Sequence, residues 1–202
     1  MRKFTLLIVL LVSLISHTTA HAESSQIPPI IDGRCEEYKK QKSIQIKMDD
    51  FVTLYVYQNQ HFVWLCYNNT EGGTGLLDLR IEAPGLKKAM NLHISAQLGE
   101  WPADKPEMAP TEGTSADWWN HKGWTANTVW FNGYRMRTSE TGEEQVANWR
   151  NAPDREMQIS KERFGRGEWK LRFNIYMLRG KDDKPYDLVY PSKEQFYVLD
   201  AK

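Results

Sequence analysis

Apolar and polar residues alternate along most of this chain with a period of two. "SIQIKM", Ser43–Met48, sets Ile44, Ile46 and Met48 against polar neighbours, which predicts a half-buried strand. "FVTLYVYQNQHFVWLCYN", Phe51–Asn68, gives two β-rich runs divided by Gln58-Asn59-Gln60, a hairpin by composition and spacing. In its first arm Val52, Leu54 and Val56 share one face, while Thr53, Tyr55 and Tyr57 take the other. "GLLDLRIEAP" and "NLHISAQLGEW" predict a further pair joined through Pro84-Gly85-Leu86. "TVWFNGYRMRT" is strand-like, and "DREMQISKERFG" reads as a short strand running into a turn. The cleanest alternation is "EWKLRFNIYML": Trp169, Leu171, Phe173, Ile175 and Met177 against Lys170, Arg172, Asn174 and Tyr176. "EQFYVLD" closes the pattern as a last strand. No long segment carries a helical period. Many short strands with regular turn signals predict an all-β fold, an antiparallel, jelly-roll-like β-sandwich in a single domain.

One stretch breaks the rhythm. From Gly99 to Asn127 the chain is irregular, punctuated by Pro102, Pro106, Pro110, Gly113 and Gly123. Structureless loops beyond about 12–15 residues are uncommon in compact domains and are usually functional or disordered. Four of the eight tryptophans, Trp118, Trp119, Trp124 and Trp130, fall within thirteen residues here. They are interleaved with Asp117, Asn120, His121, Lys122 and Asn127. A pyranose presents an apolar C–H face and a rim of hydroxyls, so it needs flat rings and polar partners together. Tryptophan offers the largest flat surface at little cost in side-chain entropy. Trp118, Trp119 and Trp124, with Asp117, Asn120 and His121, are therefore the candidate ligand residues, and Trp101 adds a second wall or caps the loop. Trp64, Trp130 and Trp169 lie in strand-like runs and read as packing residues.

Two separated segments carry a family likeness. "PPIIDGRCEEY", Pro28–Tyr38, resembles the Ile-Asp-Gly-x-x-x-Glu-(Trp/Tyr) opening of family 9 carbohydrate-binding modules and their DOMON-like relatives. "DREMQISKERFGRGEWKLRFNIYMLRG", Asp154–Gly180, is similar to their closing element, an "E-x-x-I-P" strand followed by a Trp-led strand. Ser160 stands where that element usually has proline. "VTLYVYQNQHFVWLCY" resembles the early hairpin between them, so the likeness spans most of residues 28–200. It implies a β-sandwich that often binds sugar, sometimes with structural calcium, and in some DOMON-like relatives holds haem. Asp32, Gly33 and Glu37 are carried over as markers of the fold, with Gly33 free to take positive φ in a tight turn.

The ends and the charge set the setting. Arg2 and Lys3 precede an apolar run from Phe4 to Ile15, and Ala20-His21-Ala22 is an A-x-A-type cleavage site. Residues 1–22 read as a secretory signal peptide, leaving 23–202 as the domain and an exported product, periplasmic or extracellular. The apolar run falls short of the roughly 18 residues that a membrane span needs. Without Arg2 and Lys3 the 26 basic residues become 24, against 26 acidic. That balance lacks the basic excess of a nucleic-acid binder. Cys35 and Cys66 would meet oxidising conditions, and a bond between them would stabilise the fold by about 3–4 kcal/mol. Two unpaired buried thiols are the alternative.

Other chemistry leaves fainter marks. His61 and His93 read as polar strand-face residues, and no HExxH or clustered Cys/His spacing supports zinc. A non-covalent haem would draw its axial ligand from Met90, Met108, Met136, Met157, Met177 or a histidine. There is no G-x-S-x-G elbow, P-loop or dinucleotide fingerprint. Glu140–Glu144 reads as a solvated turn. The reading is thus an exported, non-catalytic carbohydrate-binding module without a cofactor of its own, structural calcium aside. It would act beside a separately encoded hydrolase; a haem-binding redox protein and a protein-interaction module are the alternatives.

Overall fold

A computed structural model describes residues 27–71, 73–95, 98–109, 129–131, 134–139, 142–147, 152–192 and 194–202. Its strands run β1 (Ile44–Lys47), β2 (Thr53–Gln58), β3 (Phe62–Asn68), β4 (Leu76–Glu82), β5 (Met90–Ile94), β6 (Leu98–Pro102) and β7 (Val129–Phe131). They continue as β8 (Tyr134–Ser139), β9 (Gly142–Ala147), β10 (Asp154–Ser160), β11 (Gly167–Arg179), β12 (Pro185–Tyr190) and β13 (Tyr197–Ala201). Two short helices, α1 (Glu36–Lys40) and α2 (Lys161–Phe164), complete the regular elements used below.

Eleven of these strands form two antiparallel sheets, and β8 and β9 pair with each other as a separate two-stranded one. The first has the order β1-β2-β3-β10-β7; the second has β12-β11-β4-β5-β6, with β13 also paired to β11. Between them lies one apolar core: Leu54, Val56, Val63, Leu65, Met157 and Ile159 from the first sheet, and Leu77, Leu79, Ile81, Leu92, Leu171 and Phe173 from the second. These residues are 0–1% exposed, as alternation at period two requires when one face of each sheet is buried. The all-β antiparallel sandwich expected from the sequence is the observed fold.

Three local features depart from the expected pattern. The alternation of β11 slips between Ile175 and Leu178, where the register with β12 shifts. Met177 takes φ 59° and is 55% exposed, and Leu178 is buried in its place. A bulge inserts one residue and so reverses which side chains face the core. Met177 is held in that conformation by its N–H donating to Asp187 Oδ1 (3.0 Å) and its carbonyl accepting from Thr74 N (2.8 Å). The run Asn91–Trp101 is not one strand but two, β5 and β6, paired from Met90↔Pro102 to Ile94↔Leu98. Glu143 and Glu144, expected in a turn, lie on β9 opposite Thr138 and Arg137 of β8.

The outer face of the first sheet is covered. Tyr55, Tyr57, Trp64 and Cys66 point outward from β2 and β3, yet are 0–9% exposed, because Cys35 and Tyr38 pack on them. Cys35 and Cys66 form a disulfide with their Cα atoms 5.7 Å apart. The two family-like segments meet at the same place. Glu156 of β10 accepts from Asp32 N (2.9 Å) and Gly33 N (3.0 Å) through Oε2, and from the Tyr38 hydroxyl (2.7 Å) through Oε1. Gly33 has φ 79°, the turn geometry that its identity predicts. Asp154 Oδ2 accepts from Cys35 N at 2.8 Å, adding a second anchor. Glu37, by contrast, accepts from Ile30 N (2.8 Å) within its own segment.

Burial raises the Glu156 carboxyl from its ordinary 4.5 to about 7, outweighing the three donors that favour its charge. A raised folded-state value means the folded chain binds the proton more tightly. The stability linked to Glu156 is therefore full below about pH 4.5 and is lost as pH rises through about 7. Thermal melts of wild type and Glu156→Gln should coincide near about pH 5 and separate near about pH 8, with the variant melting higher. Separation in the opposite sense would mean that the hydrogen bonds outweigh burial. Glu156→Ala, which strands three donors, should lose about 2–4 kcal/mol in urea unfolding.

Candidate functional site

The outer face of the second sheet is the reverse of the covered face on the first. The alternation that turns Leu77, Leu79 and Ile81 inward on β4 turns Asp78, Arg80 and Glu82 outward. On β11 it presents Lys170, Arg172 and Asn174, and on β5 Asn91 and His93, with Ser95 one residue past the strand's end. Register then sets these residues in rows across the sheet. One row reads Val189, Asn174, Asp78, His93, Gly99 from β12 to β6; the next reads Arg172, Arg80, Asn91, Trp101 from β11 to β6. Residues in one row stand about 4.5–5.5 Å apart at Cβ, near enough to act on one another.

Within the first row a hydrogen-bonded chain forms. His93 Nδ1 lies 2.7 Å from Asp78 Oδ1, and His93 Nε2 lies 2.9 Å from Ser95 Oγ. A carboxylate only accepts, so Nδ1 carries the proton, and in the neutral ring Nε2 accepts from the Ser95 hydroxyl. The Tyr176 hydroxyl donates to Asp78 Oδ2 at 3.3 Å. Burial, with Asp78 beside it, pushes the Tyr176 phenol up to about 12, so it remains a donor. The side chains of Asp78 and His93 are 18% and 16% exposed, and Ser95 is 7% exposed. Half-buried polar groups held in a fixed chain are prepared to pair with a ligand's hydroxyls without first ordering themselves.

The second row holds a stack. The Arg80 and Arg172 guanidinium carbons lie 5.5 and 5.8 Å from the centre of the Phe196 ring, within the range of cation–π attraction. Arg80 also meets Glu82 Oε1 at 3.4 Å. Trp101 closes the row on β6, 7% exposed. A ring so covered presents little open face for stacking.

Asp117, Trp118, Trp119, Asn120, His121 and Trp124 lie outside the described residues. The chain that carries them starts beyond β6, an edge of the second sheet, and returns at β7, an edge of the first. Trp64 and Trp169 are packing residues as expected, at 2% and 0% exposure. His61 is exposed at the turn before β3. Met157 is sealed in the core, Met90 packs against it, and Met108 and Met177 are exposed on different elements. These methionines lie on separate elements, Met90 on β5, Met157 on β10, Met177 on β11 and Met108 in the segment after β6. No group of three or more His, Cys, Asp or Glu among the described residues fits a metal ion. Among the described residues no helix is long and apolar enough to cross a membrane.

A cavity of about 290 Å³ lies elsewhere, beside α2, between His61, Phe62, Lys161 and Arg166. Its buried cation is already committed. The Lys161 ammonium donates to Gln58 Oε1 (2.8 Å), Asn59 O (2.6 Å) and Lys202 O. Burial also lowers its pKa to about 8. Three protein acceptors use all three donors, so the lysine ties chain segments together and does not reach for a ligand.

No protein-family model, curated protein or solved structure matches this chain.

Asp78 is the acceptor on which the first row depends. Asp78→Ala should lower stability by about 1–3 kcal/mol in urea unfolding, by stranding the donors of His93 and Tyr176. An unchanged midpoint would mean that these contacts do not hold the face.

Proposed function

We propose that the protein binds carbohydrate and that the outer face of the second sheet forms the floor of its site. The observation that carries this reading is the half-buried chain of Asp78, His93, Ser95 and Tyr176 beside the Arg80–Phe196–Arg172 stack. Such a surface combines fixed donors and acceptors for sugar hydroxyls with a planar apolar element. Loop tryptophans Trp118, Trp119 and Trp124 supply the stacking rings in this account, with Asp117, Asn120 and His121 as polar partners. The likeness to family 9 carbohydrate-binding modules supports it from the sequence side. The disulfide suits an oxidising, exported setting, periplasmic or extracellular, and a separately encoded hydrolase is the partner such binding would serve.

The oxidised chain should bind at least one glycan on an array at an affinity of about millimolar to micromolar. A folded Trp118→Ala, Trp119→Ala, Trp124→Ala variant should lose that binding; retained binding would remove the loop from the site.

The Asp78–His93–Ser95 chain favours a second reading, ester hydrolysis. A serine hydroxyl bonded to an imidazole that a carboxylate orients is the arrangement that activates a nucleophile. Ser95 Oγ would attack an acyl carbonyl while His93 Nε2 takes its proton. His93 would return that proton to the leaving alkoxide, and water would then release the acid. Intact mass after treatment with a fluorophosphonate separates the two readings. No adduct leaves the chain as a binding scaffold, whereas an adduct absent from Ser95→Ala establishes the nucleophile.

A further inference from the structure

The segment over the outer face of the first sheet is a body of its own. Among the described residues the sandwich core takes no side chain from residues 27–42. The cover packs in a separate cluster instead, Cys35 and Tyr38 against Tyr55, Tyr57, Trp64 and Cys66. It is also tied together internally. Ile30 N donates to Glu37 Oε1 (2.8 Å), the Gln41 side-chain amide to Ile27 O (3.0 Å) and the Ser43 hydroxyl to Tyr38 O (2.6 Å). Helix α1 stiffens it, and the turn at Gln41-Lys42 joins it to β1. Its ties to the sandwich gather at one spot. Cys66 and Glu156 are direct cross-strand partners on β3 and β10, and Asp154 stands two residues before Glu156. There Gly33 O also accepts from Asp154 N at 3.0 Å. A segment that shares no core with its support opens at less cost than the whole fold.

We propose that this segment is a cover latched by redox state. With Cys35 and Cys66 joined it stays on the sheet; with the bond reduced it lifts from Tyr55, Tyr57 and Trp64 while the sandwich remains folded. The bond keeps Tyr38 and the Asp32-Gly33 turn beside Glu156 when their hydrogen bonds break, so those bonds re-form quickly. An external dithiol supplies the electrons. One of its thiolates attacks a sulfur of the bond to form a mixed disulfide, and its second thiol displaces the protein sulfur. The reductant leaves as a disulfide, and its two protons pass to Cys35 and Cys66. Both cysteines are buried, at 1% and 0% exposure, so the dithiol reaches them only when the cover has lifted. Reduction thereby traps an opening that the oxidised chain reverses. The latch controls access to an aromatic face, where Tyr57 and Phe62 each stand 5.5 Å from Trp64 between ring centres. This device is independent of the carbohydrate reading.

Amide hydrogen exchange, followed by mass spectrometry on chain reduced after folding, tests it. Reduction should speed exchange in residues 31–42 by about a hundredfold or more. Strands β4 and β11 should keep the protection they have in the oxidised chain. Unchanged exchange in the cover would overturn the proposal, because the polar ties would then hold it alone. Loss of protection in the cover, β4 and β11 together would also overturn it, because the cover would then belong to one cooperative unit. The rate at which dithiothreitol reduces the oxidised chain is a second readout. Glu156→Ala, which removes three of the polar ties, should speed reduction by about tenfold or more. An equal rate would overturn the claim that lifting the cover is what exposes the bond.

Discussion

Antiparallel pairing of β4 with β11 is the constraint on which the rest of the molecule turns. Over the stretch where they pair, both strands alternate, so one register decides two faces at once. Leu171↔Ile81, Phe173↔Leu79 and Ile175↔Leu77 close the core, and the residues between them are forced outward in the same register. A slip of one residue would bury Arg172 and expose Phe173. The burial that holds the sandwich together thereby also sets Arg80 against Arg172 and Asp78 beside His93. The face proposed to bind ligand is the reverse side of the core, set by the same register.

The first sheet explains why that face is available and its counterpart is not. Sandwich sheets commonly leave one face to water. Here the segment from Ile31 to Tyr38 lies over β2 and β3, tied down by the Cys35–Cys66 bond and by the Glu156 carboxyl. That attachment joins residues more than a hundred positions apart, so it holds the chain's start against a late strand. Tyr55, Tyr57 and Trp64, aromatic and outward-facing, would otherwise form an attractive stacking surface. They serve as the seat of a strap instead.

Much of the fold was legible in the sequence, for a reason that particular strands illustrate. Burial leaves a period-two mark, and "EWKLRFNIYML" carries it nearly to its end. It fails at Met177, because a bulge depends on tertiary partners, here Asp187 and Thr74, that the local pattern does not contain. The Ile-Asp-Gly turn and the Glu156 strand were recognisable as separate markers, but their meeting through Asp32, Gly33 and Tyr38 is a fact of three dimensions. The candidate face was harder to foresee. Asp78, Arg80, His93 and Arg172 sit at outward positions, where charged residues are ordinary. Only their register makes them neighbours. His93 and Ser95 are two apart in the sequence, which is the one local sign that they share a side of the chain. Trp101 is harder to place from sequence, because Pro102 and the irregular stretch after it resemble a loop, whereas β5 gives it a strand partner in Asn91.

The most direct test of this account is a crystal structure of the oxidised chain grown with a saturating glycan ligand. Sugar density over the second sheet's outer face, with its hydroxyls near Asp78 and His93, is the predicted result. Density on any other surface, with that face bare, would contradict it.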